Sequence, residues 1–303
     1  MRPIRLIEAL PPTARGIAYM LASTVAFGVL WALIRLASES YEPALIVFYR
    51  TLFGLLFLLP LILRRGRMLF ATRRLPLHLL RSSTGVIAMY ATFYAIALAP
   101  LADVVAISYA TPLFATVTAA LFLGETLRAR RITAVAIGLI GVLVVLRPGL
   151  ETLGPGQGWA LLAAIMVAGS LTAIKLLSRS DSPETIVAFT FTLILPVNLV
   201  IALFVWRWPD WSDLLLLAAI GGLANLGQIT LTRAFTATEV TAVLPFDFVR
   251  LVLAAGFGVA LFGEPLEWQT VAGALIILLS SVYLAHREAQ IDRRRPPLPP
   301  TPP

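Results

Sequence analysis

Ten long apolar runs, separated by short polar segments, set the pattern of this chain. A helix needs about 20 apolar residues to cross the hydrocarbon of a bilayer. On that rule the candidate spans are 16–36, 44–63, 77–98, 101–122, 132–146, 158–177, 184–206, 212–233, 240–262 and 268–285. Prolines punctuate the pattern: Pro43 and Pro183 open the second and seventh spans, where a first-turn proline is tolerated. Arg147-Pro148-Gly149 closes the fifth, and Trp208-Pro209 follows the seventh. Runs this long and this continuously apolar lack the alternation of barrel strands. The expected fold class is therefore an all-α membrane protein of ten transmembrane helices.

Composition agrees with the pattern. The 303 residues are 59% hydrophobic and 13% charged, with a mean hydropathy of +0.88. A soluble domain of this length carries far more polar surface. The first run has span length and no small-residue cleavage site after it, so a cleaved signal peptide is not expected. There are no cysteines, which removes disulfides and thiol chemistry. The net charge of +8 resides in loops between spans, so it is read as membrane topology and not as nucleic-acid binding. One set of segments holds 19 of the 24 Lys and Arg residues, including Arg64, Arg65, Arg73, Arg74, Arg130, Arg131 and Arg287. The opposite set holds only Arg35, Arg147 and Arg207. The positive-inside rule then puts both termini in the cytoplasm of an inner-membrane protein, which demands an even number of spans.

The two halves echo one another. Residues 95–125 and 234–264 align without a gap at an offset of 139, pairing Ala95 with Ala234, Val104 with Val243, Ala115 with Ala254 and Gly124-Glu125 with Gly263-Glu264. At an offset of 140, Ile34-Arg35-Leu36 matches Ile174-Lys175-Leu176, and Ser38 and Pro43 match Ser178 and Pro183. A unit of five helices crosses an odd number of times, so its second copy enters from the other side. The predicted organisation is two inverted five-helix repeats, residues 16–147 and 158–286, joined by an outer loop at 148–157. They are flanked by a cytoplasmic segment 1–15 and a disordered basic, proline-rich tail 287–303. Inverted repeats underlie alternating access in many carriers, with substrate bound at mid-depth.

Five short runs stand out: Leu98-Ala99-Pro100-Leu101-Ala102-Asp103, Thr111-Pro112-Leu113-Phe114, Leu123-Gly124-Glu125, the segment from Gly138 to Gly149, and Leu261-Phe262-Gly263-Glu264. In them the chain resembles the two-EamA-domain branch of the drug/metabolite transporter superfamily. The resemblance spans about residues 16–286 and implies helices one to four and six to nine around a cavity. Helices five and ten would form a scaffold beside it. The first-half motif is most similar to bacterial riboflavin and S-adenosylmethionine carriers.

Candidate chemistry gathers inside the spans. Asp247 and Arg250 are i, i+3 neighbours about 10 and 15 Å along the ninth span, just after Pro245. Ionisable groups at that depth face a bundle interior or a wet cavity. They either contact substrate or a proton, or neutralise one another. Their partners in the echo are Ser108 and Thr111, so the charge sits on one half only. Arg50, beside Tyr49 in the second span, either snorkels outward or lines the cavity to meet an anionic group or Asp247. Asn225 with Gln228, Tyr90 with Tyr94, and Tyr109 complete a polar set, with Phe246 and Phe248 flanking Asp247. Such a set suits a planar, polar-edged ligand, although helix–helix hydrogen bonding also accounts for it. Asp103, just after a very short hairpin, is expected to cap its helix, with proton coupling as the alternative. Trp206, Trp208 and Trp211 read as an interfacial belt. Ala134, Gly138 and Gly141, with Gly273, permit close packing of scaffold helices or a homodimer through helices five and ten.

These features favour a secondary carrier of a small organic metabolite. Riboflavin is the leading expected substrate, ahead of S-adenosylmethionine uptake or export of amino acids or other metabolites. An enzyme would need a nucleophile with its base, or clustered metal ligands. His78 and His286 are the only histidines. No Walker motif is present, and the Gly154–Gly158 stretch follows no strand. No cofactor is expected; the partners are the bilayer and a small metabolite.

Overall fold

The computed structural model describes residues 10–66, 70–123, 129–146, 154–177, 180–238, 243 and 246–293. Pro245, the Gly124-Glu125 pair, the Arg147-Pro148-Gly149 stop and the proline-rich end lie outside them. Every regular element among the described residues is helical. In chain order these are α1 (Pro12–Ala37), α2 (Pro43–Arg65), α3 (Leu75–Leu98), α4 (Leu101–Ser108) and α5 (Thr111–Leu123). They continue with α6 (Ala129–Leu146), α7 (Pro155–Leu177), α8 (Pro183–Leu203), α9 (Trp211–Ala237), α10 (Val249–Phe262) and α11 (Trp268–Arg293). Six helical stretches are long and apolar enough to cross a membrane: Pro12–Ala37, Pro43–Arg64, Leu101–Thr118, Pro155–Ile174, Thr185–Leu203 and Trp211–Ala234. Shorter apolar helices run Val135–Leu146, Val249–Phe262 and Trp268–Tyr283.

The helices start where the sequence gives them reason to. Proline stands in the first turn of α1, α2, α3 and α8, where its missing N–H removes no helical bond. Ser182 caps α8 by accepting from the Thr185 amide at 3.3 Å. Large apolar side chains such as Phe57, Leu63, Val200, Leu203 and Leu279 remain exposed. That is the arrangement of helices that shed their outer faces into lipid.

Two expectations need correction. The fourth span is not continuous: α4 ends at Ser108, and the chain makes a turn at Tyr109-Ala110 before α5. The cause is Pro112, which has no N–H to offer the Ser108 carbonyl. The Ala110 amide instead closes a tighter bond to Ile107 at 2.9 Å. The freed Tyr109 carbonyl accepts from Ser281 Oγ of α11 at 3.2 Å, which satisfies it inside the bundle. The tail also begins later than expected, because α11 continues to Arg293. Residues 284–293 contain neither proline nor glycine and are largely helix formers, so a basic segment expected to be extended from Arg287 is helical there.

Tertiary contacts close nine helices, with α4 and α5 taking one place together, into a ring of eight places. Going round it, α1 touches α9, α9 touches α2, α2 touches α8 and α8 touches α3. Then α3 touches α7, α7 touches the α4–α5 span, α4 touches α10, and α10 returns to α1. Helices from the two halves alternate throughout. The remaining two, α6 and α11, pack on each other beside α4. Their crossing explains the small residues there. A Cβ on Gly273 would meet the Gly141 carbonyl at 2.6 Å, and one on Gly141 would meet the Gly273 carbonyl at 2.9 Å. Backbone cannot yield as a side chain can, so both positions require glycine. These glycines are therefore used inside the protomer and do not form an outward dimer face.

Candidate functional site

The turn between α4 and α5 meets the start of α10, where Phe248 also stands in a turn. Tyr109, in the turn between α4 and α5, donates its phenol O–H to the Asp247 carbonyl at 2.9 Å, just before α10 begins. Arg250 Nη2 pairs with Asp247 Oδ2 at 2.7 Å. The Arg250 guanidinium also lies over two rings, 5.6 Å from the centre of Trp31 on α1 and 5.4 Å from that of Tyr109. Tyr109 in turn stacks on Phe248, with ring centres 6.1 Å apart. Side chains of Asp247 and Arg250 are 20% and 17% exposed, so the pair is mostly but not wholly shielded. The Arg250 Nε is buried without a hydrogen-bond partner. One cation thus has a carboxylate, two aromatic faces and a spare donor. Interrupted helices put unpaired backbone dipoles and ionisable groups at mid-depth, the usual construction of a carrier's binding site.

The other expected site residues divide. Arg50 neither snorkels to an interface nor reaches Asp247: its Nη1 donates to Met89 Sδ on α3 at 3.0 Å. Tyr90, next to Met89, has a buried hydroxyl without a partner. Tyr94 stacks on Trp159 of α7, with ring centres 5.5 Å apart. Asn225 donates to the Gly54 carbonyl at 3.2 Å, a bond between α9 and α2. Gln228 is exposed, so it does not share Asn225's environment. Among the tryptophans, Trp208 and Trp211 are exposed as a belt requires, whereas Trp206 packs on Phe48, Tyr49 and Trp208.

Asp103 does not cap its helix. The residue at that cap is Pro100, and no side chain of its own serves there. Asp103 is instead buried, accepting from Thr270 Oγ1 of α11 at 2.5 Å and from Gln157 Nε2 of α7 at 3.3 Å. The cap comes from the other half: Glu264 Oε2 accepts the Leu101 amide at 2.8 Å. Glu264 also pairs with Arg35 at 3.2 Å. Arg35 donates to the Ile96 carbonyl at 2.9 Å and to that of Ala97, and lies over the Phe262 ring. One carboxylate therefore binds the ends of α1, α3, α4 and α10 together. In the sequence Glu264 reads as a mark of the repeat and of the family, since an acid just past a glycine gives no hint of a partner far away in the chain.

A second cluster was also missed. His78 is fully buried near the start of α3; its Nε2 is 2.7 Å from Asp181 Oδ2, in the loop before α8. Phe189 stacks on its ring at 4.3 Å, and Thr72 donates to the same Asp181 oxygen at 2.7 Å. Burial alone would raise the Asp181 carboxyl, but hydrogen bonds from Thr72, His78 and Ser180 outweigh it and hold the group below its ordinary 3.8. A depressed carboxylate stabilises the fold fully above its unfolded value and loses that contribution as pH falls through the folded one. Asp181→Asn should therefore destabilise the protein by about 1–3 kcal/mol at neutral pH. The gap to the native chain should stay level down to about pH 5 and close only on further acidification. Thermal unfolding of both proteins in detergent across pH measures it; a gap that already narrows between pH 7 and 6 contradicts the assignment to Asp181.

A ring of helices, six stretches long and apolar enough to cross a membrane, and an ion pair where the α4–α5 turn meets α10 mark a multi-pass membrane protein. The chain belongs to the EamA-like transporter family, whose profile matches residues 14–147 and again 154–285. It is 30% identical over 278 residues to the pseudopaline exporter of Pseudomonas aeruginosa, covering 89% of this chain and 95% of that one. It is 29% identical over 285 residues to a riboflavin transporter of Vibrio cholerae, covering 92% and 96%. Identity is 26% over 280 residues to the S-adenosylmethionine uptake transporter of Rickettsia felis, covering 88% and 95%. A crystal structure with 19% identity superposes with a TM-score of 0.59 over 90% of this chain and 99% of the other, a likeness of fold. Family and relatives are transporters rather than enzymes.

Proposed function

We propose that this protein is a secondary carrier that moves a small organic metabolite across the bacterial inner membrane by alternating access, with both termini in the cytoplasm. The observation that carries the reading is the contact between the α4–α5 turn and the residues just before α10. Tyr109 in that turn holds the Asp247 carbonyl, beside the Asp247–Arg250 pair. A site built where one half of the chain meets the other moves when either half rocks. The arrangement of ten spans as two inverted repeats is supported by the neighbours in the ring. Exchanging α1 with α7, α2 with α8, α3 with α9, α4–α5 with α10 and α6 with α11 turns each contact of the ring into another that exists. The substrate-binding set is Asp247, Arg250, Tyr109 and Trp31, with Arg50, Tyr90 and Tyr94 across the ring. A homodimer on the scaffold side would meet on exposed residues such as Ile140 and Leu143.

Relatives named for riboflavin, S-adenosylmethionine and pseudopaline define the first substrates to try, and they include both directions of transport. The test is uptake and efflux in sealed vesicles holding the purified chain, against vitamins, nucleosides and amino acids, with and without a proton gradient. Saturable flux above that of empty vesicles is expected for at least one compound. Its absence across the panel in both directions counts against a carrier of small metabolites.

A further inference from the structure

We infer that the transported molecule carries an oxyanion, a carboxylate or a phosphate, and that Arg50 and Arg81 on facing helices hold it. This rests on the carrier reading and deepens it. A charge taken out of water is normally paired or hydrogen-bonded. Among the described residues, Arg35 pairs with Glu264 and Arg250 with Asp247, and the buried Asp181 carboxylate is hydrogen-bonded by Thr72 and His78. Arg50 and Arg81 do not follow that rule. Both are part-buried, and neither has a carboxylate among the described residues. Arg50 has only the Met89 thioether, a weak acceptor. The Arg81 Nε is buried with no partner at all.

The two arginines converge on one face of α3. Arg81, Gly85 and Met89 recur at i, i+4 and i+8, which aligns them along the helix. A cation near the start of a membrane helix ordinarily turns back toward the interface. Arg81 does the opposite. A Cβ placed on Gly85 would lie 2.5 Å from Arg81 Nη1, so the guanidinium rests one turn deeper, over the bare backbone of that glycine. Met89 stands one further turn along, about 6 Å by helical rise, and there Arg50 arrives from α2. Two guanidiniums directed toward one stretch of α3, with no carboxylate of the described residues paired to either, repel one another. A ligand oxyanion removes that repulsion, and the planar fork of arginine matches a carboxylate or phosphate in two-point contact. The buried, unpartnered Tyr90 hydroxyl lies one residue beyond Met89 as a further donor. Riboflavin carries neither group, so on this chemistry it ranks behind metabolites that do.

The experiment uses the full chain and matched probes: riboflavin against its 5′-phosphate, and decarboxylated S-adenosylmethionine against the parent compound. Transport is read in vesicles, and unfolding midpoints in phosphatidylcholine nanodiscs. The member of each pair that bears the carboxylate or phosphate should be transported at least ten-fold faster and should raise the midpoint. Arg50→Met should abolish both effects while raising the ligand-free midpoint by about 2–4 °C, because it removes an uncompensated cation. Arg50→Lys should keep part of the transport, and Arg81→Gln should lower apparent affinity with folding intact. Equal handling of the members that lack the oxyanion overturns the inference, and so does a ligand-free midpoint that falls in Arg50→Met. Stabilisation by phosphatidylglycerol nanodiscs alone, without response to the soluble anions, assigns the arginines to lipid headgroups and overturns it too. Loss of all flux in the native chain defeats the carrier reading instead, and the Arg50→Met midpoint still decides the anion site.

Discussion

Arg250→Ala is expected to abolish transport, and Asp247→Asn to do nearly as much harm to folding as to flux. The two groups form a 2.7 Å pair at the point where the α4–α5 turn meets α10. Removing one member leaves the other as a shielded charge without compensation, a cost that reaches about 3–5 kcal/mol for fully buried pairs. Here both side chains retain some exposure, and Arg250 keeps the faces of Trp31 and Tyr109, so the loss should fall toward the lower end of that range. The double variant Asp247→Asn/Arg250→Gln separates the roles. It should recover most of the stability, because no charge is stranded, and recover none of the transport. Vesicle flux and unfolding midpoints for the two single variants and the double one make the measurement. Near-native flux in the double variant would make the pair a structural tie with no part in binding.

Glu264→Gln should have the second largest effect. That carboxylate caps α4 through the Leu101 amide and neutralises Arg35, which in turn holds two carbonyls at the end of α3. An amide retains an acceptor for Leu101 but not the charge. The loss is expected to be about 1–3 kcal/mol, in line with hydrogen bonds to charged groups. Glu264→Ala also removes the acceptor and should cost more. On the proposed topology this cluster lies at the outer end of the ring, so both variants should also loosen the outer closure. A cysteine placed at Leu98, which is exposed at the end of α3, should then react faster with an impermeant thiol reagent. Unchanged labelling together with full stability would show that the cluster holds nothing shut.

Much of this architecture is legible in the amino-acid sequence. The ten apolar runs follow from the bilayer, which demands a fixed length of apolar helix whatever the protein does. Runs such as 16–36 and 212–233 therefore correspond closely to α1 and α9. Family membership is legible from short runs around Asp103, Pro112 and Glu264, and the match of the family profile bears it out. Asp247 and Arg250 draw attention because ionisable residues are rare at mid-depth, and their i, i+3 spacing makes the pair itself an expectation.

Other features depend on contacts far apart in the chain. Periodicity assigns a span but not its break, so Pro112 reads as part of a continuous helix although the chain turns at Tyr109-Ala110. Asp103 fits the local rule for an acid in a first turn, yet its bonds to Thr270 and Gln157 win because those donors reach it from other helices. The cap of that same helix comes from Glu264, on the opposite half. Gln228 and Asn225 share a spacing but not an environment, because α9 turns only one of them toward α2. The sequence by itself determined that the chain is helical, membrane-spanning and of this family, since lipid acts on each span separately. Only the tertiary structure decided which charges are neutralised and which are left over. Pairing depends on which helices become neighbours, and around this ring successive positions alternate between the two halves of the chain.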